Sequence, residues 1–268
     1  MHSLAARKNA FYRPPRMSEL TFHHWLTWGV IASGVVVFAA LFFINAPYGR
    51  HMRAGWGPSI SNRLGWILME SPAALAFIGF YATGRHALEP APLALCALWL
   101  AHYLHRSFIF PFRLKSAKKP IPLSVATMSI TFNVVNAYVN GRWIGQLGDY
   151  PASWLHDPRF AAGAAIFAFG MVVNIQSDNI LFSLRKPGES GYKIPFGGGY
   201  RLVSMPNYLG ELMEWAGWAI ATWSLAGLSF LIFTFANLVP RAIANHRWYR
   251  EQFADYPKER RAVIPWIW

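Results

Sequence analysis

Apolar residues in this chain fall into blocks of about twenty, the length of helix that crosses a bilayer core. Candidate spans lie at 25–45, 64–83, 91–110, 121–139 and 160–182, and a further apolar stretch runs from 208 to 239. That last stretch is too long for one crossing helix and short for two, and Ser224-Leu-Ala-Gly227 is the natural break within it. The pattern predicts an all-α integral membrane protein of seven transmembrane helices. No internal repeat or low-complexity segment divides it. The expected organisation is a basic, polar segment at 1–24 and a single seven-helix domain at 25–268.

Composition supports the membrane reading. Of 268 residues 54% are hydrophobic and 14% charged, against about 25% charged in soluble proteins. Thirteen Trp and 20 Phe suit the aromatic belts at membrane interfaces. Met1 to Glu19 lacks the short apolar core of a cleavable signal peptide. Cys96 is the single cysteine, which excludes an intrachain disulfide and reads as an inert buried thiol.

The net charge of +13 is explained by membrane topology without invoking nucleic acid. With seven spans, Arg7, Lys8, Arg13, Arg16, Arg85, Arg142 and Arg159 share one side, and the other 18 of the 25 Lys and Arg residues share the opposite one. With six spans the tail changes sides and the split becomes 13 to 12. The positive-inside rule needs asymmetry, so seven spans are expected, with the N-terminus outside and the C-terminus cytosolic.

Polar residues inside or beside the spans carry the candidate chemistry, because ionisable groups at membrane depth are costly. Glu70 precedes Pro72, which loosens its helix and frees backbone groups that need partners. The run Trp99-Leu-Ala-His102-Tyr103-Leu-His105-Arg106 places His102 and Arg106 on one face and Tyr103 on another. No second histidine pair accompanies His102 and His105, so no metal site is expected. Asn133 and Asn136 share a face and read equally as interhelical hydrogen-bonding groups or as ligand contacts. Asn174 and Asp178 are four apart at the end of the fifth span, and Asn207 and Glu211 repeat that spacing at the start of the sixth, with Glu214 beyond. Between them lies a loop with Arg185, Lys186 and Gly197 to Gly199. It contains neither a dinucleotide glycine fingerprint nor a P-loop. The glycines suggest a flap, and Arg185 suits phosphate, though a topology charge also explains it. The basic, aromatic tail from Arg241 to Trp268 either lies on the bilayer surface or closes over the site.

Taken in order, several strings resemble the steroid 5α-reductase family. They are Leu68-Met-Glu70-Ser-Pro72, His102-Tyr103-Leu-His105-Arg106, Asn174-Ile-Gln-Ser-Asp178, Leu184-Arg-Lys-Pro-Gly-Glu189, Tyr192-Lys-Ile-Pro195, Asn207-Tyr-Leu-Gly-Glu211, and Tyr249 through Asp255-Tyr-Pro-Lys258 to Ile264-Pro-Trp-Ile-Trp268. The similarity runs from about residue 45 to the end. It implies an NADPH-dependent membrane reductase of 3-oxo-Δ4 steroids, with hydride delivered to C5. A Glu–Tyr pair, here Glu70 and Tyr103, then holds the C3 carbonyl, and the C4 proton comes from water. The implied cofactor positions are Arg106, Asn174, Asp178, Arg185, Tyr192, Asn207, Glu211, Arg241, Asn245 and Tyr249. Residues 25–139 become the catalytic half and 160–268 the NADPH half. Departures are Met69, where the animal enzymes have Gln, Gln176 within the Asn-Ile-His-Ser-Asp string, and Asn245 with His246 beside it, where a His is expected. The simple chain suits a bacterial inner-membrane protein, or the endoplasmic reticulum if eukaryotic. A monomer with substrate arriving from the lipid is expected. The alternatives are a related sterol or enoyl reductase, an isoprenylcysteine-type membrane methyltransferase, and a transporter.

Overall fold

The computed structural model describes residues 17–44, 46–47, 49–115, 119–185, 189 and 191–267. Most of the expected basic segment, with Arg7, Lys8, Arg13 and Arg16, lies outside these residues. So do Lys118, Lys186 and Trp268.

Seven long helical rods are present among the described residues. They are α1 (Glu19–Phe43), α2 (Asn62–Ala82), a rod made of α3 (Pro90–Leu104), a π turn and the one-turn α4 (Phe110–Arg113), then α5 (Leu123–Arg142), α6 (Pro158–Ser183), α7 (Pro206–Thr222) and α8 (Leu225–Gln252). Five are long and apolar enough to cross a membrane: α1, α2, the α3–α4 rod, α6 and α8. Large apolar side chains stay exposed on them, among them Val36, Leu75, Phe169 and Val172, as a lipid-facing surface requires.

Local chemistry sets the boundaries. Prolines open α3, α6 and α7, where the missing N–H costs nothing. Ser18 and Ser61 cap α1 and α2 by accepting from backbone N–H groups. The long apolar stretch divides at Trp223, which turns left-handed (φ 42°), and Ser224 then accepts from the Gly227 N–H to start α8. The expected fourth span starts later than its apolar pattern. Pro120–Pro122 forms strand β2, paired antiparallel with β1 (Ser59–Ser61), so α5 begins only at Leu123. The π turn His105–Ile109 has a covalent cause. Pro111 cannot donate to the Ser107 carbonyl, and the helix widens so that the Phe110 N–H reaches His105 instead.

Two packing devices position the site. An aromatic core centres on Trp99, which stacks on Phe77 at 4.6 Å and meets Trp215, Trp218 and Phe230 within 5.5 Å. Its indole N–H donates to the Ala73 carbonyl, tying α3 to α2. Helices α6 and α7 approach backbone to backbone through Gly163 against Gly217 and Gly170 against Gly210. A Cβ built at Gly210 would lie 2.5 Å from the Asn174 nitrogen.

Candidate active site

Helices α3 and α7 meet through two acid–base rungs. His102 Nδ1 lies 2.7 Å from Glu214 Oε2, with both side chains buried. One turn on, Arg106 donates to Asp178 of α6 at 3.3 Å and pairs with Glu211 at 3.8 Å. The spacing explains the match, since residues four apart on one helix and three apart on the other each form a face. The Arg106 guanidinium also packs over Phe110 at 4.3 Å and Trp66 at 4.8 Å. The second oxygen of Glu214 is buried without a hydrogen-bond partner among the described residues.

The two amide–carboxylate pairs join this centre. Asn174 donates to the Asn207 carbonyl at 3.0 Å, and the Asn207 amide donates to Asp178 at 3.2 Å. Asn207 is no helix cap. The cap of α7 is Met205, with no side-chain hydrogen bond. Asp178 therefore accepts from Arg106 of the π turn that follows α3 and from Asn207 of α7 together.

Tyr103 is 3% exposed, with its ring 4.9 Å from both His102 and Trp99. Glu70 is half-buried on α2. Asn133 donates to the Met69 carbonyl at 2.6 Å. Asn136 accepts from Asn140 at 2.9 Å, while its own amide nitrogen is buried and unpaired among the described residues. Asn133 is thus an interhelical tie, fixing α2 against α5 one residue from Glu70.

The remaining candidates follow α8 outward. Asn237, Arg241, Asn245 and Tyr249 recur every fourth residue and form one polar stripe. Arg241 donates to Asn237 at 3.0 Å and to the Tyr208 hydroxyl at 3.1 Å. His51 Nε2 meets Asn245 Oδ1 at 3.2 Å, and Arg50 donates to the Tyr249 hydroxyl at 3.5 Å. Burial lowers the His51 pKa below the usual imidazole range, with the Asn245 hydrogen bond opposing it. A cavity of about 130 Å³ is lined by Arg50, His51, Tyr208, Arg241 and Asn245, among others. Tyr192 lies edge-on to Trp248 at 4.8 Å. The tail packs on α8 and on the segment before α7. Tyr256 stacks on Tyr249 at 5.2 Å, and the carbonyls of Arg261 and Ala262 accept from the Ser204 and Met205 N–H groups.

The fold therefore joins Arg106, Asn174, Asp178, Asn207 and Glu211 in one network, packs Tyr103 against the neighbouring His102 and Trp215, leaves Glu70 half-buried on α2, sets Arg241 and Asn245 in one cavity, and gathers Tyr192 and Tyr249 around Arg50 and Trp248. Arg185 stands apart. Its guanidinium donates to the Gly191 carbonyl at 3.4 Å, and its own carbonyl accepts from Lys115. Gly197 and Gly198 adopt positive φ (91° and 48°), which explains glycine at both. Four residues joined to these sites were not singled out as site residues from sequence: His102, Glu214, Arg50 and His51. His102 and Glu214 carry a signal, being polar at membrane depth. Arg50 reads only as a charge flanking a span.

These features define a helical membrane protein with a buried polar cluster between α6, α7 and the rod of α3, and a separate cavity lined by Arg50, His51, Tyr208, Arg241 and Asn245. Residues 119–268 match the family model described as 3-oxo-5-alpha-steroid 4-dehydrogenase. A cotton (Gossypium hirsutum) protein, steroid 5-alpha-reductase DET2, is 44% identical over 94% of this chain and 99% of its own length. Its Arabidopsis thaliana counterpart is 42% identical over the same shares. The cattle (Bos taurus) protein 3-oxo-5-alpha-steroid 4-dehydrogenase 1 is 41% identical over 88% of this chain and 93% of its own. The chain belongs to the steroid 5α-reductase family.

Proposed function

We propose that this protein reduces the Δ4 double bond of 3-oxo-Δ4 steroids in a membrane, with NADPH as reductant. Bound NADPH supplies the hydride that goes to C5 of the enone. As C5 accepts it, negative charge develops on the C3 oxygen as an enolate. The Tyr103 hydroxyl donates to that oxygen, and Glu70, at its side, supports the donor. One preorganised donor of this kind contributes about 10²–10³ in rate. The enolate collapses as C4 takes a proton from water. The apolar interior takes a sterol from the lipid, and the aromatic walls around Tyr103 exclude competing water.

Arg106, Asn174, Asp178, Asn207 and Glu211 would hold the nicotinamide end at the reaction centre. Arg241, Asn245, Tyr249 and Tyr192 would hold the rest of the dinucleotide along α8, with Arg185 at the loop edge. Their chemistry suits a polyanion, since Arg50 and Arg241 line one cavity with Tyr208. The observation that carries the reading is Tyr103, buried against Trp99, His102 and Trp215 where α3 meets α7. On this reading the chain crosses the membrane seven times, N-terminus outside and C-terminus cytosolic, with the cofactor half on the cytosolic side of a bacterial inner membrane. It acts as a monomer. Residues 25–139 form the catalytic half and 160–268 the cofactor half, with Arg106 reaching from the first to the second.

The test is purified protein with testosterone or progesterone and NADPH, monitored by loss of NADPH absorbance and by product analysis. A 5α-reduced steroid with matched NADPH consumption is expected. No oxidation of NADPH with any 3-oxo-Δ4 steroid would overturn the assignment. Reporter fusions at the two ends giving the same sidedness would overturn the topology.

A further inference from the structure

We infer that His102 and Glu214 are a positioning pair for Tyr103: the hydrogen bond between them fixes the ring that carries the reacting hydroxyl. The inference rests on the reading of Tyr103 as the donor to the C3 oxygen and deepens it.

The Tyr103 hydroxyl makes no hydrogen bond among the described residues, so the neighbours of its ring set its place. Trp99 and His102 each lie 4.9 Å away, His102 edge-on at 79°, and Trp215 lies 5.6 Å away. Trp99 is itself tied down, by its indole bond to the Ala73 carbonyl at 2.8 Å. The other two walls come from different helices, His102 from α3 and Trp215 from α7, and they meet edge-on at 4.6 Å. The bond that joins those helices at this level runs between His102 Nδ1 and Glu214 Oε2, at 2.7 Å. It links the residue before Tyr103 to the residue before Trp215. The backbone of Glu214 is fixed in turn, since a Cβ built at Gly170 of α6 would lie 2.7 Å from its nitrogen. The rung of Arg106 cannot substitute, because Arg106 lies four residues, about 6 Å, further along the rod.

The chemistry of the pair separates positioning from stabilisation. Glu214 is 1% exposed, and its Oε1 is buried without a partner among the described residues. An oxygen left so is costly, and apolar side chains of similar volume in place of a buried ion pair are commonly as stable or more so. What apolar contact does not supply is direction. A short hydrogen bond to Nδ1 fixes the plane of the imidazole, and with it the edge that Tyr103 packs against. An oxyanion donor needs such preorganisation, since a displacement of about 1 Å can lower turnover by about 10².

The experiment compares Glu214→Gln, Glu214→Leu and the double variant His102→Phe/Glu214→Leu with the unsubstituted full-length protein in detergent, using testosterone and NADPH. Glutamine keeps an oxygen to accept from His102, leucine removes it, and the double variant leaves no unpaired imidazole while keeping a ring beside Tyr103. Single-turnover NADPH oxidation, followed by stopped flow, reads the rate constant of reduction apart from the amplitude, which counts competent enzyme. Glu214→Gln should keep the rate constant within about threefold. Glu214→Leu and the double variant should lower it about 30- to 100-fold, with amplitude, KM for testosterone and NADPH affinity each within about twofold of wild type. The double variant should hold its Tm, and it carries the test if Glu214→Leu alone does not fold. Lost amplitude or Tm with an unchanged rate constant would overturn the proposal and leave the pair a structural tie. So would an equal loss in Glu214→Gln, which would make charge rather than direction the requirement. A normal rate constant in the double variant, beside an active wild type, would overturn this proposal alone. Absence of NADPH oxidation by the unsubstituted protein would overturn the reductase reading itself, and this proposal with it.

Discussion

Replacing Gly210 with alanine tests whether the α6–α7 backbone contact is what holds Asn174, Asp178 and Asn207 in register. The added Cβ would lie 2.5 Å from the Asn174 nitrogen and 2.6 Å from the Gly170 carbonyl oxygen, where 3.4 Å is ordinary contact. Every near atom is backbone, so no side chain can swing aside, and the helices must part by roughly 1 Å. Overpacking of this kind costs about 1–3 kcal/mol. The same shift would stretch the Asn174–Asn207 hydrogen bond from 3.0 Å and the Asn207–Asp178 bond from 3.2 Å beyond useful length. A displacement of about 1 Å at a reaction centre can lower turnover by 10². The assay pairs thermal unfolding in detergent with steady-state reduction of progesterone. Gly210→Ala is expected to lower Tm and to lower kcat/KM by at least tenfold. Gly79→Ala, where a Cβ meets nothing within 4 Å, should leave both unchanged. Near-normal Tm and kcat/KM in Gly210→Ala would refute the close-contact reasoning.

Tyr103→Phe and Glu70→Gln should each lower kcat by about 10² or more while NADPH affinity, read by fluorescence titration, changes little; near-normal rates would dismiss the Glu–Tyr assignment. Asp178→Asn removes the closer of the two acids paired with Arg106 and leaves Glu211, so a stability loss of about 1.5–3 kcal/mol is expected, the worth of a charge-assisted hydrogen bond, measured by denaturation in detergent. Arg185→Ala should weaken NADPH binding, and unchanged affinity would return it to a topology charge. The Asp157 carboxyl, which caps α6, is held down to about 2 by the Arg159 hydrogen bond, against about 3.9 unfolded. Its folded value is depressed, so its contribution is complete above pH ~4 and lost as pH falls through about 2. The Tm gap between wild type and Asp157→Asn should close over that window.

Much of the architecture is legible in the chain because its causes are local. Apolar runs of about twenty residues mark the rods, prolines mark the starts of α3, α6 and α7, and Ser224 marks the start of α8. Where local signals competed, the pattern misled. Ile121 extends an apolar run, yet Pro120 and Pro122 on either side give a strand, and α5 starts later. Polar residues at membrane depth are conspicuous in sequence because burying them is costly, so Glu70, Asp178 and Glu211 could be singled out without a structure.

Partnership is different. Whether Asn207 caps α7 or reaches Asp178 depends on how closely α6 and α7 approach, which four glycines set across about 50 residues of sequence. That His102 takes Glu214 while Arg106 takes Glu211 and Asp178 follows from the antiparallel register of α3 and α7, which no local pattern encodes. Arg50 shows the limit most plainly. By sequence it is one of 18 basic residues on the expected cytosolic side, interchangeable in any charge count. Only the tertiary structure sets it against Tyr192, Trp248 and Tyr249, up to 199 residues away. The sequence by itself determined which groups are too costly to bury without purpose; the packing of the helices decided which of them meet, because hydrogen bonds and ion pairs act over a few ångströms, between elements far apart in the chain.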